Sequence, residues 1–207
     1  MTTERHVILL DGTPGIVRPI IPSDREALAS ALAELDPESR MRRFFFNKTK
    51  LSDNELTRLT TPDGIDHIAY GLAVRLDDGT EWMPIAVARC FRDEHQKDLA
   101  EVAIVTADFW QSNGAGVELM RSLSAAATKV GIHRWFAAMF ANNTAMRRLL
   151  DRFGVMCEEL DLGNGVIEVI YEIKESEHDG AVPPATAPES KSEDSDKPKP
   201  ESEVRSQ

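Results

Sequence analysis

A strand that empties into a glycine-bearing loop and then a long amphipathic helix limits this chain more than any other feature. Leu99 to Ala107 reads as a strand, Asp108 to Asn113 as a loop, and Gly114 to Val130 as a helix. In that helix Val117, Met120, Leu123, Ala127 and Val130 recur every three or four residues, which is the signature of one buried stripe. Gly131 stops it. A loop of this kind aims several unpaired backbone N–H groups at one point, and the helix start adds a partial positive charge. The product is an anion site suited to a pyrophosphate. Gly114 and Gly116 carry no side chain, so a ligand can come close to the backbone.

Two common phosphate loops are excluded by residue type. The dinucleotide pattern G-x-G-x-x-G needs a third glycine where Leu119 stands. The P-loop needs Gly-Lys-Ser/Thr, which is absent.

The rest of the chain supplies alternating elements. His6–Leu10 and Ile16–Ile21 form a hairpin pattern around Asp11-Gly12-Thr13-Pro14-Gly15. Ser23 with Glu26 reads as a capping box that opens a helix to about Leu35. Pro37 restarts a helix through Phe46, and Ser52 with Glu55 caps a third, ending near Thr60. Strands follow at His67–Leu76 and Trp82–Phe91, joined by Asp77-Asp78-Gly79. After the long helix come a strand at Trp135–Phe140 and a helix capped by Asn142 or Asn143, with Met146, Leu149, Leu150 and Phe153 on one face. Gly154 ends that helix, and Val155–Asp161 and Val166–Ile173 turn at Gly163-Asn164-Gly165. This order predicts an α/β domain with a mixed, mostly antiparallel sheet and helices on both faces.

Residues 1–173 are expected to form that domain, and 174–207 a disordered acidic tail. From Lys174 onward the chain has five prolines, no aromatics, and 5 Lys/Arg against 9 Asp/Glu. So little apolar surface does not offset chain entropy. The whole chain carries a net charge of -11, which disfavours nucleic acid and favours cationic partners. No apolar run approaches the roughly 20 residues that span a bilayer. The polar start Met1-Thr2-Thr3-Glu4-Arg5-His6 lacks a secretory pattern, so the expected location is the cytoplasm. Cys90 and Cys157 have no metal-ligand neighbours; they read as reduced, partly buried thiols, and no metal is expected.

Gln111-Ser112-Asn113-Gly114-Ala115-Gly116 resembles Q/R-x-x-G-x-G/A, the coenzyme A pyrophosphate loop of the GNAT superfamily of N-acetyltransferases. The resemblance covers about Ile16 to Ile173, with Val17-Arg18-Pro19 similar to the usual first strand. Asn142-Asn143-Thr144-Ala145-Met146, with Leu149, Leu150 and Gly154, is similar to the late strand-to-helix segment. Glu38-Ser39-Arg40-Met41-Arg42-Arg43-Phe44-Phe45-Phe46, Leu51-Ser52 and Asp66-His67-Ile68-Ala69 resemble the acetyltransferase domain of bacterial Pat-type protein lysine acetyltransferases. Those proteins often carry an extra cyclic-nucleotide or acyl-CoA-synthetase-like domain; at 207 residues, none is expected here beside the acetyltransferase domain.

The resemblance implies a GNAT fold and acetyl-CoA as co-substrate. It implies cofactor contacts at Ile104, Val105, Thr106, Gln111, Ser112, Asn113, Gly114, Ala115, Gly116, Val117 and Asn143. Asn143 serves equally as a helix N-cap, and both roles are compatible. Glu101 occupies the place of the group's general base, and the competing reading is a strand glutamate that faces solvent. The chemistry needs such a group, since a lysine is mostly protonated at neutral pH and only the free amine attacks a thioester. The acceptor implied is a protein lysine, with a small amine as the alternative; an acyl-CoA-binding module without turnover is the third reading.

Two departures stand out. The window Met146–Phe153 has no tyrosine to serve as acid for the thiolate, and Leu149 or Leu150 takes its place. Asn113 stands where many members have Arg or Lys. Among other titratable groups, His67 and His95 could titrate near neutrality, and His133 reads as a capped core residue. Arg40, Arg42 and Arg43 read as a solvated helix face, or as lining of the acceptor side or of the cofactor's phosphates.

Overall fold

A computed structural model describes residues 4–75 and 82–174. The expected Asp77-Asp78-Gly79 turn, and the expected tail beyond Lys174, lie outside these residues. Eight strands form one sheet: β1 Arg5–Ile8, β2 Pro14–Pro19, β3 His67–Arg75, β4 Trp82–Arg92, β5 Leu99–Thr106, β6 Arg134–Phe140, β7 Gly154–Gly163 and β8 Val166–Ile173. The spatial order is β1-β2-β3-β4-β5-β6-β8-β7. Every neighbouring pair is antiparallel except β5 and β6, which run parallel. Among the described residues five α-helices complete the fold: α1 Arg25–Glu34, α2 Pro37–Phe44, α3 Asp53–Thr60, α4 Ala115–Lys129 and α5 Thr144–Phe153. No described helix is long and apolar enough to cross a membrane.

Helices flank both faces, as the element order predicts. On one face α4 buries Ala115, Leu119, Met120, Leu123 and Ala127 against Ile68, Leu72, Cys90, Ala100 and Val102. Full burial of each large side chain there stabilises by about 1.5–3 kcal/mol. Val117 and Val130, expected in the stripe, are only half-buried, and Leu119 takes up the central position instead. On the other face α1 and α2 lie over β4, β5 and β6.

Helix starts follow local capping where the cap is free to act. Ser52 accepts from the Glu55 amide while Glu55 accepts from the Ser52 amide, and α3 begins as expected. The expected Ser23–Glu26 box does not form. A 3-10 turn at Pro22–Asp24 precedes α1, and the Asp24 carboxylate accepts from the Ile21 amide at 2.9 Å while pairing with Arg18 at 2.6 Å. Asp24 outcompetes Ser23 because a carboxylate makes the stronger, charge-assisted bonds. α2 ends at Phe44 rather than Phe46: Phe45 turns left-handed at φ 62° and donates its amide to the Met41 carbonyl. Two cysteine expectations split. Cys90 is buried, with its thiol pushed up to about 12 by burial, whereas Cys157 is exposed on β7 rather than partly buried.

Candidate active site

β5 begins inside the sheet and ends at an opening. Its first three residues pair with β6, Leu99 with Arg134, Ala100 with Trp135 and Glu101 with Phe136, and there the pairing stops. On its other side β5 stays paired with β4 as far as Thr106 opposite Ala86. From Val102 to Thr106 the β6-facing edge of the strand is therefore unpaired, and Ile104, Val105 and Thr106 all lie along it. A free strand edge is a template for another amide-bearing chain.

The edge leads to the loop. The amides of Ser112, Asn113, Gly114, Ala115 and Gly116 have no hydrogen-bond acceptor among the described residues. Ser112 at φ 63° and Gly114 at φ 87° bend the backbone so that consecutive N–H groups converge, a concavity that binds anions. Val117 and Glu118 donate to the Gly114 carbonyl at 3.0 and 3.2 Å, so α4 starts directly behind the free amides with its dipole pointing at them. Five free amides and a helix start fit a pyrophosphate, and the open edge fits the amide-bearing arm of coenzyme A.

The glycines also have intramolecular reasons. A Cβ on Gly114 would sit 3.1 Å from the Leu10 Cγ, and one on Gly116 would sit 3.2 Å from the Leu149 Cδ2. The loop's side chains mostly brace the loop. Asn113 donates from Nδ2 to the Asp11 carboxylate at 2.8 Å and accepts the Asp11 amide at 3.1 Å, while its carbonyl accepts from the Leu10 amide. Gln111 donates to Ser39 and Asp108, and Asp108 in turn accepts from the Asp36 amide at the start of α2 and from the Ser39 hydroxyl. Asn113 thus ties the loop to the β1–β2 turn, and the position that many members fill with a cation has a bracing role here. Asn143 caps α5, accepting the Met146 amide at 3.1 Å, and its Nδ2 has no acceptor among the described residues. One side chain can cap and still donate to a ligand.

Glu101 is exposed at the point where β5 and β6 part. Cross-strand register places it in one row with His67, Phe91 and Phe136, on the face covered by α2. Of the cations beside it, sequence reasoning offered Arg43 as one reading of the acceptor side and missed Arg89. Arg89 lies one row along, opposite Ala103, is 4% exposed, and donates to the Leu59 carbonyl at 2.9 Å. Burial, and then the positive charge of Arg43, bring its guanidinium down to about 10. Burial also lowers Arg43, and the charge of Glu101 opposes that shift. Arg43 is thus half-buried beside the carboxylate, not on a solvated helix face. Its place on the inner side of α2 depends on packing against β5, which single-sequence periodicity over eight residues does not fix.

Of the three histidines singled out in the sequence, His67 and His133 lie in different surroundings from those expected. His67 is buried, stacked on Phe91 with ring centroids 4.2 Å apart, and its Nε2 lies 3.4 Å from the Arg89 guanidinium. Burial and the Arg89 charge lower it to about 4, so it is neutral near pH 7 and does not titrate there as expected. His95 and His133 are both exposed, and His133 is no core residue. On α5, Leu150 is buried and Leu149 packs on Gly116, so neither replaces the missing tyrosine with an acid.

A strand edge that runs from a nest of amides to a carboxylate suits an enzyme that lays a long, anion-tipped carrier beside an acceptor. The class is the coenzyme A-dependent acyltransferases. Comparison with known proteins narrows it. The Acetyltransferase (GNAT) domain family matches residues 16–156. Acetyltransferase Pat of Mycolicibacterium smegmatis is 33% identical over 153 residues, which is 74% of this chain and 44% of that protein. The chain thus spans less than half the length of that relative. The GNAT domain of S. lividans PAT has a TM-score of 0.69 at 29% identity, covering 82% of this chain and 97% of that one. The Salmonella typhimurium protein yncA, solved with its cofactor acetyl-CoA, shares the fold with a TM-score of 0.60 at 15% identity over 80% of this chain and 96% of that one. The chain belongs to the GNAT family of acetyltransferases, which draw their acetyl group from acetyl-CoA.

Proposed function

We propose that the domain transfers the acetyl group of acetyl-CoA to a lysine side chain of a protein, with Glu101 as general base. The observation that carries this reading is the exposed Glu101 carboxylate at the fork between β5 and β6. The free amides of Ser112 to Gly116 hold the pyrophosphate, with Ala115 and Val117 in the first turn of α4 behind it. The edge at Ile104, Val105 and Thr106 pairs with the amides of the carrier arm, and Asn143 donates from Nδ2.

Glu101 takes a proton from the acceptor ammonium, directly or through water, and the free amine attacks the thioester carbonyl. A free N–H on the β5 edge stabilises the developing oxyanion. The thiolate leaves without a side-chain acid. A cationic acceptor is supported by the open side of the same sheet face, where Glu168 and Glu172 on β8 and Glu158 on β7 lie beyond Phe136. The resemblance of the Glu38–Phe46 segment to Pat-type protein lysine acetyltransferases favours a protein lysine over a small amine.

Glu101→Gln keeps the size and removes the base. With radiolabelled acetyl-CoA and a lysine-bearing protein fraction, turnover should fall about 10²–10⁴-fold while the acetyl-CoA Kd stays put, and activity should recover as pH rises. A Kd that rises enough to account for the whole loss would assign Glu101 to binding. Acetyl-CoA binding without turnover on any amine, in the unmutated protein, would leave a binding module.

A further inference from the structure

An apolar cavity of about 100 Å³ lies under α1 and adjoins the open edge of β5. Its floor is the row Gly71–Val87–Val105 across β3, β4 and β5, and its roof is formed by Ala27, Leu28 and Ala31. The gap follows from residue size. On α1 the alanines one turn apart, Ala27 and Ala31, face a glycine, while the larger Leu32 is buried. The densely packed core lies on the opposite side of the sheet, under α4, and includes no residue of α1. Polar groups occur at the rim, where Arg18 pairs with Asp24 and Glu34 and Asp108 stand nearby.

Val105 belongs both to this floor and to the open edge of β5. Ala103, with the smallest side chain that leaves a Cβ, separates it from Glu101 on the same strand face. A thioester within reach of Glu101 lies beside Ala103, and two strand residues span about 7 Å. The cavity is thus one short alkyl chain from the reacting carbon. Apolar cavities of similar size, about 150 Å³, stay dry and admit a benzene-sized ligand. The apolar floor and roof do not suit the acceptor, which arrives as an ammonium ion.

We propose that this cavity receives the alkyl chain of an acyl-CoA donor longer than acetyl, roughly four to six carbons by that distance, a reading that rests on the coenzyme A assignment above. The reaction is otherwise unchanged. The acceptor nitrogen bonds to the acyl carbon, and the carbon–sulfur bond breaks with its electron pair leaving on the thiolate. Of the two protons the ammonium loses, one passes to Glu101 and the other through water to the thiolate.

Calorimetry on the full chain with acetyl-, butyryl- and hexanoyl-CoA tests it. Affinity should rise about fourfold for each methylene that enters the cavity. Ala31→Leu, which keeps helix propensity while filling the roof, should abolish that gain, and acetyl-CoA should bind it as before because its methyl group stops short of the cavity. Ala27→Leu is the second variant should the first fold poorly. Equal affinity for all three donors would overturn the proposal, as would a chain-length gain that survives both substitutions. So would variants that raise the acceptor KM and leave the chain-length profile intact, since the cavity would then serve the acceptor. Failure of acetyl-CoA itself to bind would instead remove the coenzyme A assignment.

Discussion

Replacing Gly114 by alanine should harm the protein in two separable ways. The residue sits at φ 87°, ψ -6° as the N-cap of α4. An L-residue held there costs about 1–2 kcal/mol. The added Cβ would meet the Leu10 Cγ at 3.1 Å, but Leu10 is 80% exposed and can give way. Gly131, past the other end of the same helix, has φ 82° and nothing within 4 Å of a built Cβ. Gly131→Ala therefore carries the same backbone cost without touching the amide nest. Both variants should melt about 2–8 °C lower, the shift expected for 1–2 kcal/mol in a domain of this size. Only Gly114→Ala should tilt the free amides of Ser112 to Gly116. A hydrogen bond to a charged group contributes about 1.5–3 kcal/mol, so losing one weakens acetyl-CoA roughly 10- to 150-fold. Thermal melts report the first effect and calorimetric titration with acetyl-CoA the second. A folded Gly114→Ala that binds within twofold of the parent would refute the nest, and so would an equal loss of affinity in Gly131→Ala.

Acid should weaken the fold through His67. Its folded value of about 4 lies below the ordinary 6.5, so the unfolded chain takes up the proton first. The contribution is complete above about pH 6.5 and is lost as pH falls toward 4, at most about 3 kcal/mol over that window. Denaturant titrations at several pH values should show the slope, and His67→Gln should flatten it; an unchanged slope would mean that other groups carry it. Asp108→Ala removes one carboxylate that serves the Asp36 amide, Ser39 and Gln111 at once. Stability should drop by about 1–3 kcal/mol, read by urea unfolding, and a loss below the measurement error would show that the brace is idle.

Local chemistry was legible in the sequence. The Ser52–Glu55 box and the Gly163-Asn164-Gly165 turn, with all three residues at positive φ, formed where the residue types required them. The strand–loop–helix at Glu101 to Val117 was legible for the same reason: glycine placement and helical period act over a few residues. Where a distant partner competed, local reading failed. Asp24 was drawn to Arg18, which left Ser23 without its box. Asn113 found Asp11 across 102 residues and Gln111 found Ser39 across 72, pairings that no spacing rule reveals. The depth of Arg43 and Arg89, the neutral state of His67 and the cavity beneath α1 all depend on how helices settle on the sheet. So does the fork after Glu101, because β5 carries no mark in its own residues that its neighbour departs.

That fork divides the sheet unevenly. Strands β1 to β5 are laced together along their lengths, and β6, β8 and β7 form a second laced group, yet among the described residues the ladder between the two runs only over Leu99, Ala100 and Glu101, with the Asp98 carbonyl accepting from the His133 and Arg134 amides just before it. The seam has the shortest register of any strand pair described, and the proposed general base sits at its end. On the proposed reading, an amide-bearing carrier lying in the fork would act as a further strand and bridge both groups. Substrate loading then becomes the last step of sheet assembly, and amide exchange along Val102–Thr106 would record its occupancy from within the backbone itself.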